Sequence, residues 1–248
     1  KPSEIFFLSG GTESDNFVIK GIVNTASKES NKRELLTSSI EHHAVLDTIN
    51  SFGGEYIKKY ASLNNDGSIN FEQLQNEELK NVLFASFMNV NNELGSVTDI
   101  AKFTKIANQH NILTHSDCVQ SFCKYKIDVK SLSIDSISGS AHKINGPKGI
   151  GFAYVKTGTP MESLLLGGGQ ERNRRGGTEN VAGIIGFAEA VKIFSANRNF
   201  YFEHVNELKK RFIAGLNQLD SRGIVINNNN NSSPFILNIT LNNHIYKN

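Results

Sequence analysis

Ile5-Phe6-Phe7-Leu8-Ser9-Gly10-Gly11-Thr12-Glu13-Ser14 carries a short apolar run directly into a glycine pair. An amphipathic stretch follows from Glu13 to Ala26, with Phe17, Ile19, Ile22 and Val23 on overlapping helical spacings. Strand, glycine turn and helix in that order make the repeating unit of an α/β sheet. The same alternation continues along the chain. Strands are predicted at Ile5–Leu8, Glu34–Thr37, Tyr56–Tyr60, Val82–Phe87, Ile112–His115, Ser136–Ser138, Gly151–Val155 and Phe235–Thr240, with helices such as Ala101–Gln109 between them. Such a pattern predicts an α/β fold with a mostly parallel sheet flanked by helices. Apolar periodicity lapses at Asn197–Asn199, so the stretch from Asn180 to Leu219 is expected to be two helices. After Leu219 the texture changes: Gly223 breaks the helix, Ile224–Ile226 reads as a short strand, and Asn227 to Asn231 as a solvated loop. That region has the look of an incomplete second domain.

With 248 residues the chain can bury a sizeable core, which excludes a peptide hormone, a disulfide miniprotein or a bare linker. Hydrophobic residues make up 38%, and 26 basic side chains face 24 acidic ones, so neither a disordered chain nor a strongly basic nucleic-acid binder is favoured. The two cysteines, Cys118 and Cys123, are too few for a disulfide framework and suit a reducing cytosol, so the expected location is the cytoplasm. No apolar run approaches the roughly 18 residues of a membrane span. The chain begins at Lys1 without a Met and enters a strand at once, as a piece of a longer protein would.

Each cluster of chemically active residues falls at the end of a predicted strand, the edge where open α/β sheets bind ligands. Gly10 and Gly11 allow close backbone approach, Thr12 offers a hydroxyl, and a helix N-terminus there favours an anion such as phosphate. The competing reading is an ordinary turn with Thr12 as N-cap and Asp15 completing the pair. Glu41-His42-His43-Ala44-Val45 lacks zinc-ligand spacing, so no metal site is expected; His42 either stacks on an aromatic ligand or caps a helix. Asn89 to Gly95 and His115 to Ser121 place amides and a carboxylate straight after apolar strands, where burial requires partners. Asp117 could pair with a pyridinium nitrogen while Asn91 and Gln120 bond a ring oxygen, or these residues simply cap loops. In Ser138-Gly139-Ser140-Ala141-His142-Lys143, the lysine is framed by small residues and is the candidate for covalent attachment to a carbonyl ligand. Ser140 and His142 beside it can bind phosphate oxygens, and Lys148 reads as a turn lysine.

Taken in order, Ser9–Ser14, Glu41–Asp47, Val90–Gly95, Asp117–Ser121, Ala141–Lys143, Gly146–Gly151, Gly167–Arg172 and Arg175–Thr178 resemble the cysteine desulfurases. These are class V aminotransferase relatives among the fold-type-I pyridoxal-phosphate enzymes. The resemblance covers about residues 4 to 240 and implies a seven-stranded-type sheet in a large domain at 1–195, followed by a linking helix and an incomplete α+β small domain at 196–248. It implies that Lys143 carries pyridoxal 5'-phosphate, that His42 stacks on the ring, and that Asp117 pairs with the ring nitrogen. Asn91 and Gln120 would serve the ring hydroxyl. Phosphate would be held by Gly11, Thr12, Ser140 and His142, with Thr178 reaching across from a second subunit of a homodimer.

The implied activity turns L-cysteine into L-alanine and an enzyme-bound persulfide, passed to an iron–sulfur scaffold or a tRNA-thiolation protein. No direct nucleic-acid or membrane partner is implied. Selenocysteine lyase, another class V lyase or aminotransferase, and a non-catalytic cofactor-binding fragment are the competing readings. The family's Asn-Ala-Ala-Thr-like opening segment, the loop bearing the persulfide cysteine and the carboxylate-binding arginine have no match here. Neither Cys118 nor Cys123 stands in that loop's place, so the chain alone is expected to lack turnover.

Overall fold

Strand β1 (Ile5–Leu8) runs into helix α1 (Gly11–Glu29) in a computed structural model that describes residues 1–219, 223–228 and 231–242. The helix begins at Gly11, earlier than its apolar pattern, with Gly10 as N-cap. Thr12 is therefore a helical residue and not the cap, and Asp15, its partner in the capping-pair reading, instead accepts a hydrogen bond from Ser138 Oγ of the sheet beneath. Then come β2 (Glu34–Thr37), α2 (His43–Asn50), β3 (Ile57–Tyr60), α3 (Phe71–Gln75), β4 (Val82–Ser86), α4 (Ile100–Gln109) and β5 (Leu113–Asp117). β6 (Ser136–Ser140), β7 (Gly151–Val155), the single turn α5 (Gln170–Asn173), α6 (Val181–Leu219), β8 (Ile224–Ile226) and β9 (Ile239–Leu241) complete the described chain.

The first seven strands form one sheet in the order β1-β7-β6-β5-β4-β2-β3. Pairs β2–β3, β2–β4, β4–β5 and β5–β6 are parallel, and β7 alone runs antiparallel to its neighbours β6 and β1. A parallel return needs a crossover of a dozen or more residues. Ala141–Ile150, between β6 and β7, holds only a 3-10 turn, Ala141–Ile144, so the chain doubles back. β5 and β6 run further than their apolar patterns, to Asp117 and Ser140, because ladder pairing does not depend on side-chain polarity.

Successive strand residues face opposite layers. Leu35, Phe84 and Ala153 pack under α1 with Phe17, Ile19 and Ile22, whereas Leu36, Ala85 and Phe152 join Phe103 and Ile106 of α4 and Phe187 and Phe194 of α6. Strands buried on both faces explain the continuous apolar runs in the sequence.

The stretch after Asn180 departs from expectation. α6 is one helix through Asn197–Asn199, not two. Asn197 Nδ2 donates to the Ile193 carbonyl at 2.8 Å, the Phe194 and Tyr201 rings two turns apart bridge the lapse at 5.1 Å, and Phe200 stacks on His204 just beyond it at 5.8 Å. β9 starts at Ile239 and not at Phe235, whose ring packs against Phe202 and the Lys124 ammonium. β8 and β9 pair antiparallel apart from the main sheet. Of the predicted helix break and asparagine loop, residues 220–222 and 229–230 lie outside the described residues. Among the described residues no helix is long and apolar enough to cross a membrane.

Gly151 marks where β1, β6 and β7 meet the glycine turn. A Cβ there would lie 2.6 Å from the Gly10 carbonyl carbon and 2.7 Å from the Gly139 oxygen, both backbone atoms that cannot rotate away. Gly151→Ala is expected to destabilise the chain by about 1–3 kcal/mol in chemical denaturation. Gly53→Ala, which meets nothing within 4 Å, should stay near the parent value.

Candidate functional site

β1, β2, β4, β5 and β6 all end at the same edge of the sheet, and the polar clusters follow those ends. A cavity of about 310 Å³ opens there, lined by Gly11, Thr12, Asp15, His42, Met88, Asn92, Asp117, Val119, Gln120, His142 and Lys143. A larger apolar groove along α6, bounded by Phe212, Leu216 and Phe235, contains none of these residues.

His42 takes the capping role of its two readings and also stands on the cavity wall. Its Nδ1 accepts the Ala44 N–H at 3.1 Å and so caps α2, while the residue also lines the cavity. In the neutral ring this leaves the proton on Nε2. Asp117 ends β5, and its Oδ1 accepts the Val119 N–H at 2.8 Å. Burial raises its pKa, against which that hydrogen bond and the nearby charges of His42 and Lys143 act. Gln120 lies in the turn that Ser121 and Phe122 close by donating to the Cys118 carbonyl. His142 and Lys143 stand on the 3-10 turn after β6, which Asn145 ends in a left-handed conformation with φ 62. Burial, then the Lys143 and Lys148 charges, lower the pKa of His142.

Three expected site residues are not on the cavity wall. Asn91 is 3% exposed and spends its amide on the loop: Nδ2 donates to the Ile40 carbonyl at 2.7 Å, and Oδ1 accepts from the Glu93 and Leu94 N–H groups. Its neighbour Asn92 faces the cavity instead. Ser140 is buried with its hydroxyl 2.8 Å from His142 Nδ1 and so orients that ring. Thr178 is exposed and borders a separate, smaller recess with Ser9, Gly149 and Gly177.

Sequence reasoning passed over Asp15, Met88, Asn92 and Val119 on the wall and Glu41 behind it. Asp15 had a readable signal, since it shares the buried helical face of Ile19 and Ile22, where a carboxylate is costly. Glu41 is buried, its carboxyl accepting from Ser38 Oγ at 2.8 Å and from the Met88 N–H, and burial lifts its pKa to about 8. Cys118 points to the opposite face of the sheet, within the α4 and α6 layer, and burial pushes its thiol up to about 12. A thiol so placed is not a nucleophile at neutral pH.

Tested against a phosphorylated pyridine aldehyde, the donor set fits. A hydroxyl and an imidazole lie near the start of α1 for an anion, a carboxyl faces a primary amine, and an imidazole and an amide line the remaining wall. The volume is within the range of small-molecule sites. Among the described residues no three His, Cys, Asp or Glu side chains are grouped so as to hold a metal ion.

The aminotransferase class-V family model matches residues 1–247. Cysteine desulfurase IscS of Clostridium botulinum is 39% identical over 215 residues, which is 86% of this chain and 54% of the relative. The chain thus spans about half the length of the curated relatives it matches. A solved NifS-like protein has a TM-score of 0.88 at 36% identity, covering 94% of this chain and 64% of that one. SspA, solved in complex with cysteine, has a TM-score of 0.82 at 34% identity, covering 99% and 68%.

Glu41 yields a pH test. With its pKa raised from 4.5 to about 8 in the folded chain, the stability it contributes is full below pH 4.5 and is lost as pH rises through 8. Glu41→Gln, neutral throughout, is expected to flatten that decline and to exceed the parent at pH 8.5 by at least about 1 kcal/mol, the worth of one pKa unit. Urea unfolding across the range measures it, and an unchanged slope would mean that Glu41 is ionised in the fold.

Proposed function

Because the chain belongs to the aminotransferase class-V family, we propose that it is the cofactor-binding part of a pyridoxal-phosphate-dependent cysteine desulfurase. The observation that carries this is the convergence of Lys143, Asp117, His42, Gln120, Thr12 and His142 on one cavity from separate strand ends. The relatives' names, and the cysteine bound to SspA, support L-cysteine as substrate.

In this reading Thr12, His142 and the Gly11 backbone hold the phosphate, with Ser140 fixing the His142 ring. Asp117 faces the ring nitrogen and His42 the ring face. Gln120 serves the ring oxygen with the Asn91–Asn92 pair, Asn91 by holding the loop and Asn92 from the cavity wall. Bound there, the cofactor supplies an electron-withdrawing ring for a substrate joined to it. Lys143 Nζ anchors the cofactor and takes the proton from the substrate Cα. His42, pinned through Nδ1, keeps a fixed plane while this happens. Asp117, buried and hydrogen-bonded, keeps its charge at one place.

The same proposal divides the chain into a cofactor-binding domain at 1–195 and, at 196–248, a linking helix with the start of a small domain. It makes the protein a cytoplasmic homodimer in which exposed Thr178 contacts the partner's phosphate. The products are L-alanine and sulfur passed to an acceptor for iron–sulfur assembly or tRNA thiolation.

Incubation with pyridoxal phosphate and borohydride should leave the cofactor on the Lys143 peptide by mass spectrometry, and Lys143→Ala should abolish the adduct. Adduct on Lys148 or Lys124 in the parent would overturn the assignment. Asp117→Ala is expected to weaken cofactor binding about tenfold or more in an absorbance titration, the loss typical of a charge-assisted hydrogen bond.

A further inference from the structure

Asp15 lies in the first turns of α1, 1% exposed, on the cavity wall, and nothing above gives it a task. Ser138 of β6 donates its hydroxyl to Asp15 Oδ1, and Ser138 pairs in register with Asp117 of β5. Asp15 is thereby set beside Asp117. His115, two residues before Asp117 on the same face of β5, brings Nε2 to 3.7 Å from Asp15 Oδ1, too far for a hydrogen bond. The other ring nitrogen, Nδ1, lies 2.9 Å from Ser86 Oγ, and Nε2 has no hydrogen-bond partner among the described residues.

Charges around the two carboxyls are unequal. Burial drives the pKa of His115 down to about 3, so it is neutral and brings Asp15 no cation. The charged neighbours that act on Asp15 are the carboxyls of Asp117 on β5 and of Glu41 before α2; burial first, then Asp117 and Glu41, raise its pKa well above the ordinary carboxylate range, against the Ser138 hydrogen bond, which lowers it. Asp117, by contrast, receives the Val119 N–H and the favourable fields of His42 and Lys143. Two adjacent buried carboxyls do not both ionise without a matching cation.

We propose that Asp15 and Asp117 hold one proton between them, kept on Asp15, so that Asp15 is a positioning residue that makes Asp117 the single anion facing a cationic ring nitrogen. Only the last clause rests on the cofactor reading. With Oδ1 engaged by Ser138, the proton rides on Oδ2. The pair then presents one negative charge where two would repel each other and draw in water or a stray cation.

The test uses the 248-residue chain and separates the two parts. Without cofactor, a carboxyl protonated in the fold stabilises fully below its unfolded pKa of about 4 and less as pH rises. Asp15→Asn, similar in shape and always neutral, should gain stability relative to the parent as pH rises above about 5. A difference independent of pH would overturn the shared proton. With pyridoxal phosphate as probe, Asp15→Asn should bind within about threefold of the parent, and Asp117→Asn about tenfold or more weaker. Equal losses in both variants would overturn the assignment of the charge to Asp117. If the parent itself bound no pyridoxal phosphate, the cofactor reading and the positioning role would both fall, and the pH series alone would decide the shared proton. Should Asp15→Asn not fold, Glu41→Gln at neutral pH is expected to retain the infrared carbonyl band of a buried carboxylic acid, and its absence would overturn the proposal.

Discussion

Parallel strands cannot be joined by a hairpin, and that constraint organises this molecule. Each crossover returns the chain to the start of the next strand, so β2, β4, β5 and β6 all release the chain at one edge. β7 extends the principle by running backwards, which lets β1 enter the sheet pointing the same way as β6 and bring its glycine turn to the same edge. Residues as far apart as Gly11 and Lys143 become neighbours through ladder geometry alone. The cavity follows from the topology, and side chains decide only what it holds.

Buried carboxyls stand at and behind the cavity wall, and the structure compensates for their burial in stages. Glu41, Asp15 and Asp117 are all nine-tenths or more enclosed. Glu41 accepts from a hydroxyl and a backbone N–H, Asp15 from Ser138, and Asp117 from Val119 with two basic groups nearby. Of the three, Asp117 is the one whose burial is offset by nearby basic groups, which makes it the readiest to carry charge. Ser138 and Ser140 show the same economy on β6, one serving Asp15 and the other His142, because alternate residues of a strand share a face.

Several residues for which capping and binding compete as explanations either cap and also face the cavity or trade places with a neighbour. His42 caps α2 through one ring nitrogen and leaves the other for the cavity. Asn91 is consumed by the loop, and the loop presents Asn92. The same loop carries the β8–β9 unit: Ser233 N–H donates to the Gly95 carbonyl at 2.7 Å, and Asn228 Nδ2 to the Leu94 carbonyl at 2.7 Å. The cavity wall and the last described strands are thus linked through a few residues.

The α/β class, the strand positions and the cluster at each strand end could all be read from the order of residues, because apolar run lengths, helical spacing and glycine turns are local properties. Lys143, Asp117, His42 and Gln120 stood out for the same reason, each being a polar side chain next to an apolar strand. The strand order, the reversal of β7, the continuity of α6 through Asn197–Asn199 and the choice of Asn92 over Asn91 required the three-dimensional structure. So did the grouping of Asp15 with Ser138 and His115, residues about a hundred positions apart. These are set by long-range pairing, by which face of a strand or helix is covered, and by where the remaining hydrogen bonds of each amide are satisfied. A linear pattern shows that a carboxylate is buried; only the folded chain shows which groups stand around it.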